Sequence, residues 1–337
     1  MHLIQGVRYR AMAELLRVNN LKTYFDRYDG VVKAVDGVSY KVDYGETLAI
    51  VGESGSGKTQ SVLSLLRLIK GNGRIVDGEA IFEGKDLLKL SKEELRQIRG
   101  KDISIVFQDP MTSLNPIMRI GIQIMEPILW HKIMSDKEAR ERAIELLRVV
   151  GIPEYKTRVW DYPFQFSGGM RQRVMIAIAL ACNPKLVIAD EPTTALDVTV
   201  RAQILNLLSD MKEEFKTSVI FITHDVTLAM NFADTIMVMY AGKIAEYAPI
   251  DKFIRNPLHP YSNGLISSTL DINAKEGTLK PIPGNPPSLV NPPSGCRFHP
   301  RCPYAQDICK EVEPEYREVE DGHYVACHLV KGGKFNA

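Results

Sequence analysis

The 337-residue chain carries 42 Lys and Arg against 41 Asp and Glu, a formal charge of +1, which leaves no electrostatic footprint for nucleic acid. With 45% apolar and 25% charged residues it has an ordinary globular composition, enough for one large domain or two ordinary ones. The longest uninterrupted apolar run, Val174 to Cys182, has nine residues, against the roughly 18 of a membrane span. The first residues lack the apolar stretch and small-residue cleavage site of a secretory signal. The expectation is a soluble, cytosolic chain, in which structural disulfides are disfavoured and cysteines lean towards metal binding.

Short β-like runs open the sequence, LLRVNNLKTYF and KAVDGVSYKV, on either side of the turn-rich DRYDG. TLAIV (47–51) then reads as a buried strand, followed by a glycine loop and the amphipathic TQSVLSLLRLI. Residues 111–166 are mostly helical in period; DKEARERAIELLRVVGI is the clearest case, with Gly151 as its stop. Strands return as KLVIAD and SVIFITHD, separated by a helix over about 198–215. This alternation predicts an α/β fold with a parallel core sheet. TIMVMYAGKIAEYA reads as a hairpin with an Ala-Gly turn, and beyond Pro249 the prolines crowd in. A boundary near Asp251 divides the expectation into an α/β domain, 13–250, and a proline- and cysteine-rich C-terminal tail, 251–337.

Three motifs carry chemistry. GESGSGKT, from Gly52 through Glu53, Ser54, Gly55, Ser56, Gly57 and Lys58 to Thr59, matches the phosphate-loop pattern. Its glycines let the loop wrap a polyphosphate at a helix N-terminus, where backbone N–H groups point inward. Lys58 then reaches the β/γ-phosphates, Thr59 binds Mg²⁺, and Gln60 follows on the helix. LVIADE ends an apolar strand in two acids: Asp190 to coordinate Mg²⁺, Glu191 to polarise a water attacking the γ-phosphate. FSGGMRQR places Ser167, Gly168, Gly169 and Met170 at another helix N-terminus fit for an anion. One nucleotide needs only one phosphate loop, so the second cradle requires a different phosphate.

Together these stretches resemble the ABC-transporter ATPases, with Phe166 and Met170 in place of the commoner Leu and Gln of the signature. The resemblance implies a P-loop ATPase domain with a parallel core sheet, an antiparallel β subdomain and a helical subdomain at about 111–170. It implies a head-to-tail dimer in which the signature of one subunit caps ATP held by the other. Gln108 matches the Q-loop that senses the γ-phosphate and Mg²⁺, Asp197 lies in the D-loop TALD, and His224 matches the switch histidine. Tyr24 is the candidate for stacking on adenine, with Phe25 and Tyr28 as competitors.

FQDPMTSLNP, the long signature segment, and the tail pieces HPYSNGL, IPGNPPSL and CRFHPRCP resemble more narrowly the ATP-binding subunits of oligopeptide/dipeptide and nickel importers. This likeness runs from about Ala13 to near the end; Phe164, where the family has His, is a peripheral departure. It implies a peripheral protein at the cytoplasmic face of the membrane, pairing with a second ATPase subunit and two membrane permeases, with a solute-binding protein outside. Residues 111–130 would face the permease, although Met111, Met118 and Met125 taken singly read as helix core. Chromosome and repair ATPases are disfavoured because only 107 residues separate Thr59 from Ser167, with no sustained heptads. Two alternatives to a peptide importer are a nickel importer and a soluble ABC ATPase with an iron–sulfur cluster. A subunit that binds ATP without cleaving it is disfavoured by Glu191 and His224.

Four of the five cysteines, Cys296, Cys302, Cys309 and Cys327, fall in the tail, with spacings of five, six and 17 residues and no paired C-x2-C. Four thiolates suit either Zn²⁺ or an iron–sulfur cluster. The spread and the Cys302-Pro303 pair favour a cluster, and so does the peptide-importer resemblance, some of whose members carry a tail 4Fe–4S cluster. His299, His323 and His328 are possible zinc substitutes or plain surface-loop histidines. Cys182 reads as core packing.

Overall fold

The computed structural model describes residues 13–194, 197–268 and 282–335. The N-terminal β runs form an antiparallel sheet. Strands β1 (Glu14–Arg27) and β2 (Gly30–Asp43) fold back on each other, and β1 also pairs with β4 (Gly73–Phe82), which carries the short β5 (Lys85–Asp86). The second sheet has eight strands. Its parallel part is built from β3 (Thr47–Val51), β6 (Ile103–Val106), β7 (Leu186–Asp190), β8 (Ser218–Thr223) and β9 (Thr235–Tyr240).

TLAIV, LVIAD, SVIFIT and TIMVMY are buried at every position, as strands covered on both faces by helices and a second layer must be. With β10 (Lys243–Pro249), β11 (Arg317–Glu320) and β12 (His323–Val325), the sheet order is β11-β12-β10-β9-β3-β8-β7-β6. The ends of β3, β7 and β8, and the loop after β6, therefore lie side by side.

The hairpin read in TIMVMYAGKIAEYA forms between β9 and β10 (Lys243–Pro249). Both residues of its turn, Ala241 and Gly242, have positive φ (47° and 82°), the requirement of a type I′ connection. Between β6 and β7 the helices Ile120–Trp130 and Asp136–Val149 pack around the helix Gly168–Leu180 and share one apolar core with it. Ser135 and Glu138 close a capping box at the start of Asp136–Val149, and Gly151 (φ 72°) stops it.

After Asp251 the chain returns to the same sheet. Strand β12 (His323–Val325) pairs with β10 and carries β11 (Arg317–Glu320) on its outer side. Phe298, Cys296 and Cys302 pack with Tyr240, Phe253 and Tyr261 against the β3–β9 end of the core. A buried carboxylate fastens the seam. Glu246 on β10 accepts the N–H of Leu258, the N–H of His259 and Nε2–H of His323, each at 2.8 Å. His323, a possible surface-loop histidine from the sequence, is instead fully buried.

Candidate active site

The end of β3 delivers Gly52 to a loop that turns into the helix Lys58–Leu65. At Gly57 (φ 100°) a Cβ would stand 2.1 Å from the Ala34 carbonyl oxygen, so only glycine lets this turn lie against β2. Lys58 is buried under the loop, its Nζ donating to the Gly52 (2.8 Å) and Glu53 (3.1 Å) carbonyls. Burial holds its pKa below the ordinary lysine value. Ser54 and Gly55 are exposed at the tip, and the buried Ser56 Oγ has no hydrogen-bond partner among the described residues.

Thr59 Oγ1 donates to Asp190 Oδ1 at 2.9 Å, joining the β3 and β7 ends. Burial raises the Asp190 pKa, the Thr59 bond opposes that rise, and neighbouring Glu191 adds to it. Glu191 sits in the left-handed region (φ 45°), a conformation costly for a non-glycine residue and concentrated at functional sites. Its carboxylate meets Gln108 Nε2 (3.2 Å), Thr194 Oγ1 (2.9 Å) and His224 Nδ1 (3.4 Å). An ammonium, two hydroxyls, two carboxylates, an amide and an imidazole thus converge where four parallel strands end. That is where ligands of open α/β sheets bind. Thr194 is the first residue of the D-loop TALD; that its hydroxyl turns back to bond Glu191 is visible only in the fold.

No hydrogen bond among the described residues ties the signature residues to this group. Ser167 Oγ accepts the Met170 N–H (3.3 Å) and caps the helix Gly168–Leu180. Gly168 has open space where a Cβ would go, whereas a Cβ on Gly169 would stand 2.8 Å from Val200 Cγ1. Asp197 caps the helix Val198–Phe215, accepting the Val200 N–H at 2.9 Å; its D-loop neighbours Ala195 and Leu196 lie outside the described residues.

On β1, the Tyr24 hydroxyl donates to Asp36 at 2.6 Å, and burial together with that bond pushes its pKa up to about 12. Of its competitors, Phe25 has its ring against Gly73, and Tyr28 is 97% exposed. Asp36 also accepts from Arg297. Glu53, which the sequence offered only as a loop position, pairs through its carboxylate with Arg301. A sequence gives no signal for either arginine beyond its place beside a cysteine.

All four tail cysteines line one small cavity, with His259, His299 and His328 at its rim. Burial raises the thiol pKa of Cys296 to about 12 and of Cys327 to about 11. Among the described residues no three His, Cys, Asp or Glu side chains converge to hold a single metal ion. The histidines are otherwise engaged: His299 Nδ1 is 2.9 Å from the Cys296 carbonyl, and His328 Nε2 is 2.8 Å from that of Val312. Cys182 is half-buried against the helical core, as a packing residue is.

Residues 35–194 match the ABC transporter family, and residues 245–309 match the C-terminal region of oligopeptide/dipeptide transporters. The oligopeptide transport ATP-binding protein AppD of Bacillus subtilis is 49% identical over 94% of this chain and 97% of its own length. OppD of Escherichia coli is 50% identical over 93% and 92%. The dipeptide transport ATP-binding protein DppD of Lactococcus lactis is 49% identical over 95% and 92%. The chain belongs to the ATP-binding subunits of oligopeptide/dipeptide ABC transporters.

A solved ATP-binding cassette, dimeric and bound to ADP and Pi after hydrolysis, superposes with a TM-score of 0.63 at 30% identity, covering 70% of this chain and 99% of that one. The fold is thus that of an ABC ATPase, and the chain is an ATPase of that family. The alternative of a soluble, non-transport iron–sulfur ATPase finds no support, since these relatives are transport subunits along nearly their whole length. Among the described residues no helix is long and apolar enough to cross a membrane.

Proposed function

We propose that this subunit cleaves ATP held between its phosphate loop and a partner's signature, and passes the closure to membrane permeases that import di- and oligopeptides. The observation that carries the reading is the carboxylate of Glu191, held by Gln108, Thr194 and His224 beside the Thr59–Asp190 pair. Lys58 and the N–H groups of 52–60 bind the β/γ-phosphates. Thr59, Asp190 and Gln108 hold Mg²⁺, which neutralises phosphate charge when bound. Glu191 accepts the proton of the attacking water, and His224 orients the γ-phosphate. Tyr24 stacks on adenine.

Ser167, Gly168, Gly169 and Met170 cap the nucleotide of a second ATPase subunit, with Asp197 near the seam. That arrangement is supported by the absence, among the described residues, of any hydrogen bond tying them to this chain's own phosphate loop. A permease surface is supported by exposed apolar side chains following Gln108: Met111 is 65% and Ile117 83% exposed, with Ile122 and Trp130 beyond. The subunit then lies peripherally on the cytoplasmic face, coupled indirectly to an extracytoplasmic solute-binding protein, with no nucleic-acid partner. The division into 13–250 and 251–337 is kept as a functional one. Glu191→Gln should leave Mg–ATP binding intact and lower turnover by at least about a hundredfold; unchanged hydrolysis would sink the assignment.

Cys296, Cys302, Cys309 and Cys327 are read as ligands of a 4Fe–4S cluster. Support comes from the one cavity that all four thiols line. Such a group would supply a staple for a tail poor in regular structure. Anaerobically purified protein should be brown, with about four iron and four sulfide per chain and absorbance near 400 nm. A colourless protein with one zinc would overturn this.

A further inference from the structure

The phosphate loop carries a carboxylate of its own. Glu53 stands between Gly52 and Ser54, in a loop whose backbone is shaped to receive anions. Unpaired, that negative charge would oppose the ligand the loop serves.

The tail supplies the counter-charge. Arg301 is buried, and both arms of its guanidinium grip the Glu53 carboxylate, Nη1 to Oε2 at 2.6 Å and Nη2 to Oε1 at 2.9 Å. The fork is itself held: Nε donates to the Pro283 carbonyl (2.8 Å) and Nη1 to the Tyr240 hydroxyl (3.3 Å). A second tail residue grasps the same loop position, since Tyr261 Oη accepts the Glu53 N–H at 2.9 Å. The Glu53 carbonyl in turn receives the Lys58 ammonium and the Ser56 N–H.

We propose that Arg301 is a positioning residue for the ATPase, acting through Glu53: it cancels the loop's own negative charge and turns that carboxylate away from the phosphates. The two-armed pair fixes one orientation, which a lysine point charge cannot do. This inference rests on the reading of residues 52–59 as the ATP phosphate cradle, and it holds whatever the cysteines bind.

The test is binding of the non-hydrolysable ATP analogue AMPPNP with Mg²⁺ to the full chain, with melting recorded alongside. Arg301→Ala should weaken AMPPNP about tenfold, the size of one lost charged interaction. Glu53→Gln, which removes the loop's charge and keeps its backbone N–H, should bind more tightly than Arg301→Ala. The double variant should recover most of the loss, and the defect of Arg301→Ala should shrink as salt is raised. A merely structural arginine predicts the opposite, because a change at Glu53 cannot restore its bonds to Pro283 and Tyr240.

The proposal falls if Arg301→Ala binds like wild type, or if the double variant binds no better than Arg301→Ala. Should Arg301→Ala fail to fold, Arg301→Lys replaces it, with a smaller loss that Glu53→Gln again reverses. Lys58→Ala serves as the separate control on the cradle. If it binds AMPPNP normally, the cradle reading fails; if it loses binding while Arg301→Ala does not, only the positioning role fails.

Discussion

Two clusters of buried or half-buried charge lie at neighbouring ends of this molecule, and they are bonded in different ways. At the strand ends, Lys58 rests on backbone carbonyls, while Glu191 meets Gln108 at 3.2 Å and His224 at 3.4 Å. Between sheet and tail, Glu246 accepts three bonds of 2.8 Å, and Arg301 meets Glu53 with both arms. The first set uses partners that a ligand can replace at little cost. The second joins shorter bonds to buried partners, His323 and Arg301, that nothing else replaces. Loosely held groups mark chemistry, and tightly bonded groups mark the frame that aims it.

This contrast breaks most visibly at Glu246. Glu246→Ala strands two backbone N–H groups and the buried His323, and should cost about 3 kcal/mol or more in unfolding measurements. Glu246→Gln, which keeps an acceptor oxygen, should cost clearly less. If the alanine variant melts like wild type, the seam is not held there.

A smaller effect should appear in the pH dependence. His259 is buried, and its Nδ1 accepts the Tyr261 N–H at 3.0 Å. Burial, only partly offset by nearby Glu246, lowers its pKa to about 4. The folded value lies below the unfolded one, so the contribution is intact above about pH 6.5 and is lost as pH falls towards 4. Between pH 7 and 5 the wild type should lose about 2 kcal/mol that His259→Asn, which keeps a capping acceptor, does not. Parallel pH curves for the two proteins would remove His259 from the account.

The strand-end group was legible in the sequence because the residue types that phosphate chemistry demands recur at fixed short spacings. The glycine loop, the two acids after LVIAD and the histidine after SVIFIT each sit at a strand end that composition already marks. Gln108 and Glu191 were named separately, and the adjacency of β6, β7 and β8 brings them together. The tail resists such reading. Arg301 and Glu53 are 248 residues apart, and His323 and Glu246 are 77 apart. Strand β12 has only three residues, HYV, too few for any period to show. Pairs of this kind are set by how the chain returns to the sheet, and no local spacing encodes a return.

Strand β12 also closes a hazard. With β12 in place, β10 is an interior strand whose residues 244–248 are all buried. A chain shortened to its catalytic part would present that row of Ile, Ala, Glu and Tyr as an open edge, a template for pairing with other copies. The tail is thus a guard against self-association as well as a brace. Attempts to trim this subunit to a minimal ATPase should therefore yield aggregates before they yield an enzyme.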